Sequence, residues 1–497
     1  MTDAMLRSRR EVLRLLCATS ALGALPACAG APERSPRPSL RPAQPSDRIV
    51  ARAGLGGDLS YAVMDVGSGN LLEGRGANAP LPPASVAKAI TALYGLEVLG
   101  GAYQFTTSLL ATGPVSDGVL RGDLVLAGGG DPTLGTDDLA QMAAALARAG
   151  LRRIEGRFLV WGGALPFVPE IADDQAPQAG YNATVSGLNL NFNRVHFGWA
   201  RASGGGYTVT MDARSDRHRP EIQMARMQVV NRATPIYSYR RREGVDEWTV
   251  AGAALGNGGA RWLPVRQPEL YAGEAFRALA AGQGITLPAP QITRSQPQGQ
   301  ALTTHRSRAL SELLRDMLRF STNITAEAIG LMASSVQAGR APQGLAASGA
   351  QMSGWAQQRY GMSSLRMVDH SGLGAASRVS MVDLCNMFRR AGQDTALRTL
   401  LREHPFRDGN GRVVANAGLD VRAKTGTLFF VSVLGGYLAA PGGRDLAFAM
   451  CSADLARRSS VAGGVVDRPD GTAEWARAAR AMQQDMLHRW AQVHSSA

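Results

Sequence analysis

Apolar and polar positions follow different rhythms in three parts of this 497-residue chain. Near the start, Ser60-Tyr61-Ala62-Val63-Met64-Asp65-Val66 has the pattern of a strand. Gly67-Ser68-Gly69-Asn70 turns it, and Leu71-Leu72 begins a return strand. Pro82-Pro83 then stops the chain ahead of a helical run over 85–99. From 103 to 295 the texture changes to glycine-rich turns and short strands, with strands predicted at 123–127, 157–161, 207–211 and 247–251. This stretch reads as one or two mostly β domains. Helical periodicity returns after 305, where Leu310, Leu313, Leu314, Met317 and Leu318 share one face. The pattern breaks at Phe320-Ser321-Thr322, and a second helix starts near Asn323. Strands are predicted at 429–438 and 445–451, joined by Pro441-Gly442-Gly443, and an amphipathic helix at 472–493. The first hundred residues and the last third match in style, so the middle reads as an insertion into a discontinuous core domain.

The N-terminal residues 1–30 have the pattern of an export signal. Ser8-Arg9-Arg10-Glu11-Val12-Leu13-Arg14 resembles a twin-arginine signal, and Leu25-Pro26-Ala27-Cys28 resembles a lipoprotein cleavage site with Cys28 as the lipidated residue. Pro26 departs from the usual lipoprotein pattern, so plain cleavage nearby is the competing reading. Either way the mature protein is expected in the periplasm or cell envelope. Residues 31–47 form a proline-rich linker. Of the remaining cysteines, Cys385 and Cys451 would either pair or stay as buried free thiols. The scattered histidines suggest no metal site.

The net charge of +13 favours anionic partners such as cell-wall polymer, a membrane surface or nucleic acid. No long basic run with interleaved aromatics supports nucleic acid. The nearest candidate, Arg240-Arg241-Arg242, reads as a solvated loop. The chemistry of the basic residues is more informative than their sum. Of 53 lysines and arginines, only Lys88 and Lys424 are lysines, and both fall where amine chemistry would matter. An arginine keeps its proton near neutral pH, whereas a buried lysine can release it.

Ser85 and Lys88 stand one helical turn apart on one face of a helix start. Serine needs a base to become a nucleophile, and a lysine with a lowered pKa can be that base. Ser321 and Asn323 lie at the joint between two helices, where an extended link would point both side chains the same way. Helix capping by either residue is the competing reading. Lys424-Thr425-Gly426-Thr427 sits on a strand. Lys424 and the hydroxyls of Thr425 and Thr427 would meet a carboxylate, with Gly426 leaving room for a substrate backbone. An ordinary surface strand end is the alternative.

The ordered set S-x-x-K, S-x-N and K-T-G is similar to that of the penicillin-binding proteins and class A β-lactamases. The chain resembles the class C low-molecular-mass penicillin-binding proteins, the D-alanyl-D-alanine carboxypeptidases and endopeptidases of the penicillin-binding protein 4 type. Leu81-Pro82-Pro83-Ala84-Ser85, Gly130-Asp131-Pro132-Thr133-Leu134 and the stretch Tyr181-Asn182-Ala183-Thr184-Val185-Ser186-Gly187-Leu188-Asn189 carry the resemblance, as does the long gap between Lys88 and Ser321. One loop departs from it. The family pattern Asp-Gly-Ser-Gly-Leu-Ser-Arg is Asp369-His370-Ser371-Gly372-Leu373-Gly374 here, with Arg378 displaced. His370 would then touch substrate or be a loop histidine without a function.

The resemblance implies an α/β fold: a discontinuous β-lactamase/transpeptidase-like domain (48–102 and 300–497), its antiparallel sheet flanked by helices, with a large, mostly β insertion at 103–299. It implies that Ser85 forms an acyl-enzyme with the penultimate D-alanine and that Lys88 takes the serine proton. Ser321 and Lys424 would pass a proton to the leaving amine, Asn323 would orient the peptide, and Lys424, Thr425 and Thr427 would hold the terminal carboxylate. The backbone N–H groups of Ser85 and Thr427 would form the oxyanion hole. It further implies peptidoglycan as substrate, trapping by β-lactam antibiotics and no cofactor, and leaves the oligomeric state open. Two other readings are a related serine hydrolase, β-lactamase or esterase, and a non-catalytic wall-binding protein. A class A β-lactamase needs a deacylating glutamate. Glu327 follows Asn323, but on a helix and without a loop around it.

Overall fold

The computed structural model describes residues 44–407, 412–413, 419–439, 444–464 and 469–494. The expected export signal, Cys28 and the Pro441-Gly442-Gly443 turn lie outside the described residues. The proline-rich linker expected through 47 ends sooner, because a helix begins at Ser46 and runs to Ala53.

The central sheet draws strands from both ends of the chain. Its order is Asp420–Leu428, Val431–Ala439, Asp445–Ala453, Asp58–Asp65, Leu71–Arg75, all antiparallel. The two-residue period of a strand sends neighbouring side chains to opposite faces. Ala62, Ala447, Ala449 and Cys451 enter a core shared with helix Ala87–Leu99 and with Leu313 and Met317. Tyr61, Val63, Phe448 and Met450 meet Met482, Met486, Leu487 and Trp490 of the C-terminal helix Thr472–Val493. Both faces are covered, which is why 446–451 reads as an unbroken apolar run rather than an alternating one. The strand predicted at 429–438 starts later, at Val431. Phe429 and Phe430 form the hairpin turn, with Phe430 at φ 54.

A separate core holds side chains between Leu109 and Leu287. Its five-stranded sheet runs Pro290–Ile292, Phe158–Trp161, Leu124–Gly128, Thr106–Ala111, Gln300–Arg306. The strands that enter and leave this region are therefore neighbours, with Thr106 opposite Arg306, so the sheet extends past the boundary expected at 299. Two helices the sequence did not signal, Thr136–Arg148 and Pro268–Gly282, also contribute here, burying Leu139, Met142, Tyr271 and Phe276. Three three-stranded sheets complete the region. Arg240, Arg241 and Arg242 are not in a loop; they lie on an edge strand, Tyr237–Arg242, where Arg240 pairs with Glu247. Charge on an edge strand discourages pairing with another chain.

Cys385 and Cys451 are free and buried, and burial raises both thiols well above their ordinary pKa. Iodoacetamide is therefore expected to alkylate neither in the native protein and both in denaturant; mass analysis of the labelled protein reads this directly.

Candidate active site

Ser85 stands in the short turn Ala84–Val86 that leads into helix Ala87–Leu99. Ala84 has φ 44, a left-handed conformation uncommon for any residue with a side chain. The turn is wedged from two sides. A Cβ on Gly372 would stand 2.0 Å from the Ala84 carbonyl oxygen, and one on Gly426 would stand 3.0 Å from the Ser85 nitrogen. Gly426 thus makes room for the backbone of the nucleophile turn.

Lys88 follows one turn later and is fully buried. Its Nζ lies 3.0 Å from Ser85 Oγ, 2.7 Å from Asn323 Oδ1 and 2.9 Å from the Ser371 carbonyl oxygen. Two of these neighbours can only accept a hydrogen bond, and the third is a hydroxyl that can donate. The ammonium can donate to all three; the neutral amine keeps two N–H bonds to the pure acceptors and turns its lone pair to the serine hydroxyl. Burial lowers the Lys88 pKa to about 8, against the opposing pull of Glu327 and Asp369.

Ser321 ends helix Leu310–Phe320 in a left-handed conformation, φ 60. The link to helix Asn323–Ala338 is therefore not extended at Ser321 as expected; only Thr322 is. Ser321 is the C-cap of the first helix through its backbone, whose N–H donates to the Met317 carbonyl, while Thr322 is the N-cap of the second and makes no side-chain capping bond; the Ser321 and Asn323 side chains are left for other partners. Ser321 Oγ lies 2.9 Å from Lys424 Nζ. Asn323 accepts from Lys88 through Oδ1 and donates through Nδ2 to the Tyr181 carbonyl at 3.0 Å. Lys424 is 2% exposed. Burial first, then the charges of Lys88 and Arg402, hold its pKa well below the usual lysine value.

Ser85, Ser321, Asn323, Tyr181, Gly372 and Thr427 line one cavity of about 560 Å³. Thr425 lies on the same side of the strand as Thr427; both border a second cavity with His404, Ser432 and Gln484, which Thr427 shares with the first, and the Thr425 carbonyl accepts from Lys424. Of the three residues expected to bind substrate, Thr427 lines the catalytic cleft, Gly426 packs against the Ser85 turn, and Thr425 lines the adjoining cavity that shares Thr427 with the cleft. The cleft also holds residues the sequence reading missed. Gln175 and Tyr181 reach it from the middle region. They lie in a stretch without helix or strand, where periodicity carries no signal.

His370 is fully buried and paired with Glu327, so it is neither a substrate contact nor an idle loop residue. That pairing also removes Glu327 from any role as a deacylating base in the cleft.

The sheet, the flanking helices and the serine–lysine pair define an active-site-serine hydrolase of the transpeptidase-like class. The model of the D-Ala-D-Ala carboxypeptidase 3 (S13) family matches residues 45–466, and the chain belongs to that family. A D-alanyl-D-alanine carboxypeptidase from an Actinomadura species is 28% identical over 433 residues, covering 81% of this chain and 79% of that one. The crystal structure of penicillin binding protein 4 from Haemophilus influenzae superposes with a TM-score of 0.71 at 18% identity, covering 89% of this chain and 99% of the other. The same protein complexed with a β-lactam superposes with a TM-score of 0.71, also at 18% identity, over 91% of this chain and 99% of the other. That likeness establishes the fold.

Proposed function

We propose that this enzyme is a serine-type D-alanyl-D-alanine carboxypeptidase acting on peptidoglycan stem peptides, with endopeptidase action on cross-links open to the same site. The observation that carries the reading is the Ser85–Lys88 contact, with the other two neighbours of the amine both pure acceptors. Lys88, neutral, takes the Ser85 proton as Oγ attacks the penultimate D-alanine carbonyl. The backbone N–H groups of Ser85 and Thr427 receive the oxyanion, a device worth about 10²–10³ in rate per donor. Ser321 and Lys424 return a proton to the leaving amine, the C–N bond breaks, and D-alanine departs. Water then cleaves the Ser85 ester. Asn323 holds the substrate peptide, and Thr427 meets the terminal carboxylate.

β-Lactams present the same carbonyl chemistry, and the acyl-enzyme they leave should persist, because Glu327 is sealed from the cleft by His370 and the Ser371 N–H. A β-lactamase reading fits poorly for that reason. The substrate lies outside the cytoplasm, in keeping with the export pattern of residues 1–30, and Cys28 would anchor the enzyme if it is lipidated.

Two measurements test the proposal. Fluorescent penicillin should label the native protein once, and peptide mapping by mass should find the label on Ser85. Digestion of purified peptidoglycan should release D-alanine from pentapeptide stems, and loss of cross-linked dimers would add the endopeptidase activity. Label on another residue, or unchanged peptidoglycan, would remove the assignment.

A further inference from the structure

Beneath Lys88 lies a charged cluster that no step above uses. Glu327, Asp369 and His370 are all fully buried. Glu327 sits one turn beyond Asn323 on helix Asn323–Ala338. Its carboxylate accepts the backbone N–H groups of His370 and Ser371, each at 2.9 Å, and lies 2.9 Å from His370 Nδ1. The other ring nitrogen, Nε2, is 3.0 Å from Ser348 Oγ, and the Thr91 hydroxyl donates to the His370 carbonyl at 2.6 Å. Space for the ring comes from Gly330, where a Cβ would stand 2.0 Å from it. The next peptide unit, between Ser371 and Gly372, carries the Ser371 carbonyl that accepts from Lys88. Asp369 closes the loop from the other side, accepting the N–H groups of Gly372 at 3.1 Å and Gly374 at 2.6 Å.

We propose that Glu327 and His370 together are positioning residues for Lys88: they fix the Ser371 carbonyl against the amine, and the Glu327 charge sets the pH range in which Lys88 works as a base. The proposal rests on the reading of Lys88 as that base. Burial by itself would raise the Glu327 pKa, but hydrogen bonding and attraction to His370 outweigh it and hold the carboxyl below its ordinary value. The anion so maintained favours the charged form of Lys88 and opposes the burial that lowers it. Asp369 pulls in the same direction as Glu327; its own pKa is raised to about 6, by burial and then by Glu327. Lys424, on strand Asp420–Leu428, is the nearby cation that the Lys88 charge repels. Helix Leu345–Tyr360 brings the uncharged Ser348.

The test is the rate of acylation by fluorescent penicillin as a function of pH, on the full chain and on the variants Glu327→Gln, His370→Gln and both together. In Glu327→Gln the acid limb should move to lower pH, because Lys88 loses an anion that favours its charged form. The plateau should fall roughly tenfold as the Ser371 carbonyl is held less well. His370→Gln should move the limb the same way, since Glu327 loses the group that keeps it ionised. The double variant should move it no further than Glu327→Gln alone, the mark of two residues acting through one path. An unmoved limb in Glu327→Gln, or shifts that add in the double variant, would overturn the proposal. Should Glu327→Gln not accumulate as folded protein, an unmoved limb in His370→Gln is enough to do so. Failure of the wider reading looks different: the native protein would then take no label on Ser85 at any pH.

Discussion

Arginine in place of Lys88 is expected to slow acylation by fluorescent penicillin about a thousandfold, in the range that loss of a general base produces. Charge is retained in this variant, so a purely electrostatic role for Lys88 would survive it. Base catalysis would not, because the guanidinium keeps its proton throughout the accessible pH range. The site makes the distinction sharp. Lys88 is fully buried, and its amine is confined by Ser85 Oγ, Asn323 Oδ1 and the Ser371 carbonyl, an arrangement suited to one nitrogen with one lone pair. A forked five-donor head finds two acceptors there and no group able to take the serine proton. Lys88→Met separates bulk from charge: it should be as slow as the arginine variant, and it should melt below the native protein, since it leaves the Asn323 and Ser371 acceptors without their donor. Acylation of Lys88→Arg within a fewfold of the native rate would end the base assignment.

Gly372→Ala is expected to damage both the fold and the site. The added Cβ would stand 2.0 Å from the Ala84 carbonyl oxygen and 3.0 Å from Ala87 Cβ. Neither obstacle is the end of a flexible side chain, so backbone must move. Gly372 also has φ +75, which costs a side-chain-bearing residue about 1–2 kcal/mol. Overpacking adds about 1–3 kcal/mol more. The displaced backbone belongs to the turn that carries Ser85, and a shift of 1 Å there would cost on the order of a hundredfold in rate. Gly150→Ala is the control, because Gly150 has φ +89 and a methyl group added there would meet nothing within 4 Å. It should lose the conformational part of the stability and keep the acylation rate. Thermal melting and acylation measured on both variants decide the matter; equal rates in the two would show that Gly372 does not brace the nucleophile.

Much of the catalytic constellation was legible because it depends on residue type at short range. Ser85 and Lys88 are a helical turn apart, and the break at Phe320-Ser321-Thr322 marks a helix joint whatever the rest of the chain does. The terminal helix needed only its own periodicity, and its observed span, Thr472–Val493, matches the pattern. The helices Thr136–Arg148 and Pro268–Gly282 were missed because glycine-rich turns dominate the texture around them, and their apolar faces make sense only against the sheet they cover. The packing of Gly426 was hidden for the same reason. A glycine on a strand signals close approach, but the sequence is silent on what approaches, and the answer is the Ser85 backbone.

His370 is the clearest case. Its departure from the family pattern was visible, and so was Glu327 one turn past Asn323. That they meet could not be read from the chain, because they are joined by burial between a helix and a loop far apart in sequence.

By itself, then, the sequence determined the identity and order of the reactive groups and the alternation of the sheet, since both follow from local spacing and side-chain chemistry. Only the tertiary structure decided which acceptors surround the Lys88 amine, what packs against Gly426 and what stands behind the base. Those depend on which surfaces exclude water from which charges, and burial is a property of the assembled fold rather than of any segment.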